Sequence, residues 1–409
     1  MTTAILFLST RQLTQVDFTM PLLSEHDLIL VASKQEIDRL PDRISSRFTL
    51  QFPVSISADD GVIIEYDHDE IIKIIASIRQ SYSMVDFICF DEGNVELADS
   101  LRQKSKSNQN IERFRDKIEM KRWLKKRNIP TPFFIETISE NQGFDEISAK
   151  VGTPFVVKPK RSAGSNNIYI IRTKDDFLEM KNAVAESLRG YEAEEYIDGD
   201  LYHCDIALWM KESIFAECTE YLCPTIDFQS GSPLGGRVMD TNNPLREQLI
   251  EFAKASLNAL NSSDGVYHME IFVRNNDAKD LVFLEVGARP PGMLVTTMYE
   301  KATGVNLLNL DILIQTRSVP NDFSFARQKH AFYLVYPKRN GQVQALNTPS
   351  SHGDIEMNFS NHSIIGEQHE GCFSNLDFSA FITCSAVDKA AIDSAYKYMS
   401  KFKPVQYAS

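Results

Sequence analysis

The sequence predicts an α/β chain with α+β character towards its C-terminus: an open parallel sheet first, then a strand-rich centre, then a mixed extension. Three observations point there. The first ~110 residues alternate short apolar runs with amphipathic stretches, as strand–helix units do. From about Glu192 to Val286, several strand-like runs surround one long helical stretch, Pro244 to Leu260. The last ~80 residues mix both periodicities and show no chemical motif. A chain of 409 residues has length for two or three domains with cores of their own.

Taken in order, Ile5 to Ser9, Leu28 to Ser33, Phe48 to Val54 and Val85 to Phe90 read as short buried strands. Ile71 to Ile78 and Asn94 to Arg102 read as amphipathic helices. No glycine precedes Gly61, so the first strand–helix turn cannot carry the GxGxxG fingerprint of a dinucleotide fold. No GxxxxGK[ST] phosphate loop occurs either. Gln103 to Asn110 reads as a polar linker, followed by a helix from Ile111 to Arg127 that Pro130 and Pro132 prevent from continuing. Strands over Phe155 to Lys158 and Ile168 to Ile171 flank the loop Pro159 to Asn167. Arg317 to Gln328 reads as a second linker.

Composition narrows the function. Hydrophobic residues are 43% and charged residues 24%, with a net charge of -13. An acidic chain is a poor match for nucleic acid, which is bound through clustered Lys and Arg. The cysteines Cys89, Cys204, Cys218, Cys223, Cys372 and Cys384 form no CxxC pair and read as free thiols of a cytoplasmic protein. Ala4 to Leu8 is a first strand, not a signal peptide, since no basic residue precedes it. No apolar run approaches the ~20 residues of a membrane span.

The most informative segment is an acidic hairpin. Val266 to Val273 and Leu281 to Val286 are strand-like, joined by the polar connector Asn275 to Asp280. A hairpin centred between Asp277 and Ala278 sets Glu270 opposite Glu285, with Cβ atoms roughly 5 Å apart on one face. Alternation puts Tyr267, Met269, Ile271 and Val273 on one face and Val266, His268, Glu270 and Phe272 on the other. Two facing carboxylates repel unless a cation lies between them, and magnesium takes one or two carboxylates plus substrate phosphates. An exposed strand face that tolerates a Glu pair is the bland alternative. Four residues beyond the second carboxylate comes Arg289, able to clamp a phosphate or carboxylate bidentately. Lys158 ends an apolar strand, where a lysine needs an anion or must snorkel. Ser162-Ala163-Gly164-Ser165 can wrap phosphates with backbone N–H groups, although most such loops are plain turns.

Together these residues resemble the ATP-grasp superfamily. The order is Arg115-Asp116-Lys117, Phe155-Val156-Val157-Lys158-Pro159, Ala163-Gly164-Ser165, Glu194-Glu195-Tyr196-Ile197-Asp198-Gly199, His268-Met269-Glu270 and Glu285 to Arg289. The likeness covers roughly residues 1 to 315 and lies nearest the biotin-carboxylase-like and L-amino-acid (dipeptide) ligase branch. It implies a preATP-grasp domain over 1–110, an ATP-grasp region over 111–320 with a lid at about 154–197, and a C-terminal α+β domain over 321–409. It implies ATP between lid and core, with Lys117 and Lys158 on the phosphates under Ser162, Gly164 and Ser165. Backbone groups of Glu195 and Ile197 would read the adenine edge, with Glu194 and Tyr196 beside them. Mg2+, or Mn2+, would sit on Glu270 and Glu285, and Arg289 would steady an acyl phosphate. An amine nucleophile must be neutral, and His268, facing the acidic pair, could take its proton; a hydrogen-bonded structural histidine is the bland alternative.

Two positions depart from the family pattern. Gly287 stands where the family often has a metal-binding Asn, and Asp200 is the candidate ribose contact in place of the usual Glu. The activity implied is ADP-forming carboxylate–amine ligation of small molecules, in a possible homodimer. Biotin-carboxylase-like carboxylation, or nucleotide binding without catalysis, are the alternatives. Substrate choice is expected in the 221–241 loop and the 287–298 segment, with the C-terminal domain as a further candidate.

Overall fold

The computed structural model describes residues 3–102, 110–274, 280–350, 354–372, 374 and 376–408. A four-stranded parallel sheet opens the chain, with Leu50–Val54, Asp27–Ser33, Thr3–Leu8 and Met84–Ile88 side by side in that order. Its two inner strands are nearly continuous apolar runs, because both faces are covered. The helix His68–Ser81 packs through Ile71, Ile75 and Ile78, and the Asp67 side chain caps it by accepting from the Glu70 N–H. A second cover comes from far along the chain. Leu308 and Ile312 of the helix Leu307–Gln315 lie in the same core, while Leu307, Leu310 and Ile314 of that helix enter another.

The expected linker from Gln103 to Asn110 lies, apart from Asn110, outside the described residues. The helix expected over Ile111 to Arg127 is two pieces, a 3-10 turn Ile111–Phe114 and a helix Lys117–Lys125. Asp116 divides them: its carboxylate accepts from the N–H groups of Ile118 and Glu119, making it an N-cap. The break turns Arg115 and Lys117 inward.

A small antiparallel sheet follows, in the order Phe134–Ile135, Tyr191–Glu195, Phe155–Pro159, Tyr169–Ile171. It shares one core with the helices Phe144–Val151 and Lys174–Ala183, through Ile147, Phe155, Phe177 and Met180. This unit starts ahead of the 154–197 stretch expected for a lid, because Ile135 and Ile138 pack into it.

The largest sheet is antiparallel and eight-stranded, running Leu281–Gly287, Gly265–Arg274, Gly199–Trp209, Glu212–Tyr221, Leu234–Val238, His330–Pro337, Phe378–Ala386, Glu356–Asn361. Its last three strands come from the segment expected to form a C-terminal domain, so that segment extends the central sheet. The hairpin Gly199–Tyr221 sets Cys204 directly opposite Cys218, Cα atoms 4.3 Å apart, and the two form a disulfide. Six free thiols were the expectation; the free ones are Cys89, Cys223, Cys372 and Cys384. The pairing comes from cross-strand register, which fourteen residues of separation do not reveal in the sequence. Among the described residues no helix is long and apolar enough to cross a membrane.

Candidate active site

Glu270 and Glu285 are cross-strand partners on one face of the large sheet. The ladder reaches that pairing through an irregularity. From Val273 opposite Leu281 to Ile271 opposite Phe283 the strands run in one register; continued evenly, it would set Glu270 against Leu284. A bulge takes up Leu284 as an extra residue, so Glu285 meets Glu270, and both Leu284 and Glu285 face the cleft. The connector expected between the strands lies, apart from Asp280, outside the described residues. Tyr267, Met269, Ile271 and Val273 fill the core behind the hairpin, as alternation requires.

Cations surround the pair. Lys117 Nζ lies 3.1 Å from Glu285 and donates to the Ser162 carbonyl at 2.8 Å. Burial disfavours charge on Glu285, but Lys117 and Lys158 overcome it and hold its pKa below the ordinary range. Glu270 goes the other way: burial, then repulsion from Glu285, raises it, although the Tyr221 hydroxyl donates to it at 2.8 Å. Facing carboxylates that repel in a cleft beside lysines are the donor set a hard divalent ion takes with phosphate oxygens. The residues therefore fit magnesium.

Lys158 is buried and pairs with Glu194 at 2.5 Å. Lys121, wholly buried, holds Glu192 at 2.5 Å and Glu194 at 2.7 Å. These lysines overcome the burial penalty and hold Glu194 at about 2. Glu92, between the strand Met84–Ile88 and the helix Val95–Leu101, joins Arg115 at 2.6 Å and also Arg289. Burial opposes its ionisation, yet the two guanidiniums bring it to about 2.

Two cavities meet at the acidic pair. One, of about 300 Å³, lies between the small sheet and the large one. Apolar side chains flank it: Val156 and Ile170 from one sheet, with Ile168 just ahead of its last strand, and Leu201, Phe272 and Leu284 from the other. The other, of about 360 Å³, adds Arg11, Gln12, Thr14, Gln15, Phe90 and Glu92 from the parallel-sheet domain, and Tyr333 and Leu376 from the C-terminal segment. Lys117, Ser162, Ser165, Glu270 and Glu285 line both. Gly164 reaches the junction with φ +65, and a Cβ there would strike Val62 at 2.9 Å. Ser165 also adopts a left-handed backbone and hydrogen-bonds Thr225 at 2.9 Å.

His268 shares the face of Glu270. Its Nδ1 is 2.7 Å from Asp205, whose other oxygen is 2.6 Å from His203 Nδ1 and accepts from Tyr299 at 2.8 Å. His203, Asp205 and His268 are close enough together to suggest a metal centre, but these hydrogen bonds account for their approach. Burial depresses the His268 pKa, and Asp205 more than reverses this, so it stands above the ordinary histidine value.

The structure thus gathers Lys117, Lys158, Ser162, Gly164, Ser165, Glu270, Glu285, His268 and Arg289 around one cleft, with Glu194, Glu195, Tyr196 and Ile197 along the smaller cavity. Three details differ from expectation. The Glu194 side chain is taken up by Lys121 and Lys158 instead of facing a base. The Glu195 N–H donates to the Phe133 carbonyl at 2.8 Å, so of its backbone groups that N–H is not free for an adenine edge. Asp200 is exposed and outside the cavity lining, because strand alternation gives that face to Leu201. Sequence reasoning missed Lys121, Glu92, Arg115 as a cleft residue, and the group from Arg11 to Gln15. A signal for the last existed: it follows the first parallel strand, and ligands of open α/β sheets sit at strand C-terminal ends.

Comparison with known proteins bears on the fold. Residues 114–293 match the ATP-grasp domain family. An L-arginine-specific L-amino acid ligase of Bacillus subtilis is 24% identical over 271 residues, 63% of this chain and 64% of that protein. The chain therefore spans somewhat under two thirds of that relative's length. The crystal structure of an L-amino acid ligase from Bacillus licheniformis superposes with a TM-score of 0.74 at 13% identity, covering 100% of this chain and 99% of that one. The biotin carboxylase domain of Hydrogenobacter thermophilus 2-oxoglutarate carboxylase, solved with MgADP and bicarbonate, gives 0.64 at 12% identity, covering 99% and 91%.

Proposed function

Residues 114–293 match the ATP-grasp domain family, and from that premise we propose that the chain is an ATP-dependent, ADP-forming ligase that joins a small carboxylic acid, of amino-acid type, to an amine. The observation that carries this reading is the Glu270–Glu285 pair at the meeting point of two cavities. The smaller takes the nucleotide, its base between the apolar side chains of the two sheets. The larger takes the acid and the amine. The γ-phosphate then lies where both chambers share Lys117 and Ser162.

Lys158 and Lys117 offset phosphate charge, and the Ser162–Ser165 backbone covers it. Glu270 and Glu285 would hold Mg2+, which would supply further charge stabilisation at the transferring phosphoryl group. Arg289, oriented by Glu92, holds the acid so that a carboxylate oxygen attacks the γ-phosphorus and ADP leaves. The neutral amine then attacks the acyl phosphate carbon, the carbon–oxygen bond to phosphate breaks, and the proton lost from nitrogen leaves with the phosphate. Exclusion of water from the junction would protect the acyl phosphate from hydrolysis. An intact acidic pair speaks against nucleotide binding without catalysis.

The test is product analysis across a panel of amino acids with ATP. ADP and phosphate should appear only when a carboxylate and an amine are both present. Release of AMP and pyrophosphate would overturn the reading.

A further inference from the structure

The geometry points to His268 as a third protein ligand of the divalent ion, its Nε2 completing a shell that two glutamates leave open; this rests on the metal-site reading above. His268 lies directly across from Gly287, and Glu270 directly across from Glu285, so four neighbouring positions on one face carry two carboxylates, one imidazole and one position with no side chain. Nothing at 287 can contribute a ligand. A Cβ there would already meet Glu92 at 3.4 Å and Arg289 at 3.5 Å, so that corner belongs to the Glu92–Arg289 pair.

The imidazole is oriented for ligation. Asp205 occupies Nδ1 and so selects the tautomer that leaves the Nε2 lone pair towards the cleft. A ligating histidine commonly donates its other ring N–H to a carboxylate in this way. Asp205 is itself fixed by His203 and by Tyr299. Nε2 stands 4.0 Å from Glu270 Oε1. That is too far for a hydrogen bond, yet within twice the ~2.1 Å that separates a divalent ion from nitrogen or oxygen ligands. One ion can therefore touch both atoms. Glu285, paired with Lys117 in this conformation, stands across the ladder from Glu270.

The consequence is a change in metal preference. Magnesium favours oxygen donors, whereas an imidazole nitrogen adds affinity for transition-series divalent ions. A site of two carboxylates and one imidazole takes Mn2+ in preference to Mg2+. An ion on Nε2 also leaves no lone pair there for a proton, so the amine's proton leaves by another route than His268.

The probe is Mn2+ itself, added to the nucleotide-free full-length protein and followed by EPR, with Mg2+ as competitor. Wild-type protein should bind Mn2+ about tenfold more tightly than Mg2+ and show imidazole-nitrogen coupling in the pulsed spectrum. His268→Gln should lose that coupling and about tenfold in Mn2+ affinity, the scale of a lost metal contact, while Mg2+ affinity moves far less. Asp205→Asn, which leaves the ring present but mis-oriented, should weaken Mn2+ binding as well. Unchanged Mn2+ affinity in His268→Gln, or no nitrogen coupling in the wild type, overturns the assignment. Glu270→Gln and Glu285→Gln separate the two readings. If they lose both metals while His268→Gln loses neither, only the histidine assignment fails. If they bind Mn2+ normally, the metal site itself is elsewhere. Circular dichroism of each variant identifies any loss caused by misfolding.

Discussion

Lys121 shows how much of the cleft depends on a residue that need not touch a ligand. It is wholly buried with two carboxylates, Glu192 and Glu194, and Glu194 in turn holds Lys158 in place. Breaking a buried ion pair from one side leaves charge without compensation, which typically costs about 3–5 kcal/mol. Lys121→Met should therefore lower unfolding free energy in urea by about that amount, and adding Glu192→Gln should recover part of it. A single variant within ~1 kcal/mol of wild type would show the cluster to be neutral. The sequence gives no sign of this cluster, because the partners lie 71 and 73 residues downstream and meet only when the helix Lys117–Lys125 packs against the strand Tyr191–Glu195. Glu270, Glu285 and Lys158 were legible, since each lies on a strand whose alternation fixes its face.

At the scale of elements, local pattern carried strands and helices well and failed at irregularities. The parallel strands and the helix Pro244–Leu260 follow apolar periodicity, so they were readable. The Asp116 cap, the Leu284 bulge and the Cys204–Cys218 pairing each depend on one residue or one register step, which periodicity averages away. An even ladder would have needed a different turn centre to oppose the glutamates; the bulge reaches the same pairing from the other register. The turn after the strand Met84–Ile88 supplies another element-level tie. Its Glu92 is buried between guanidiniums from two other segments. A folded pKa of about 2 against an ordinary 4.5 means the tie stabilises fully above pH 4.5 and is lost as pH falls from 4.5 towards 2. A shift of that size corresponds to roughly 3 kcal/mol. Glu92→Gln should be less stable at pH 7 and should show a flatter decline between pH 4.5 and 2 in denaturant titrations. Parallel acid limbs for variant and wild type would contradict this.

At the scale of the whole molecule, the helix Leu307–Gln315 binds two cores together. Leu308 and Ile312 face the parallel sheet, and Leu307, Leu310 and Ile314 face the antiparallel one. Leu308→Ala removes a fully buried side chain and should cost about 2–5 kcal/mol. Amide exchange should then speed up in the strand Thr3–Leu8 as well as around the helix. Faster exchange confined to the helix would mean that the parallel-sheet domain is stable by itself.

The division of the cleft has a consequence for transplantation. The smaller cavity is lined only by residues from Lys117 to Glu285, whereas the larger draws on Arg11 to Glu92 at one end and on Tyr333 and Leu376 at the other. On the proposed reading, the nucleotide chamber is built from the central stretch alone, whereas the chamber for the acid shares that stretch and adds both flanks. A graft that replaces the first hundred residues with those of a relative would redecorate one chamber while leaving the other's walls untouched. On that reading, substrates of such a chain can diversify by exchange of its flanks around an unaltered nucleotide chamber.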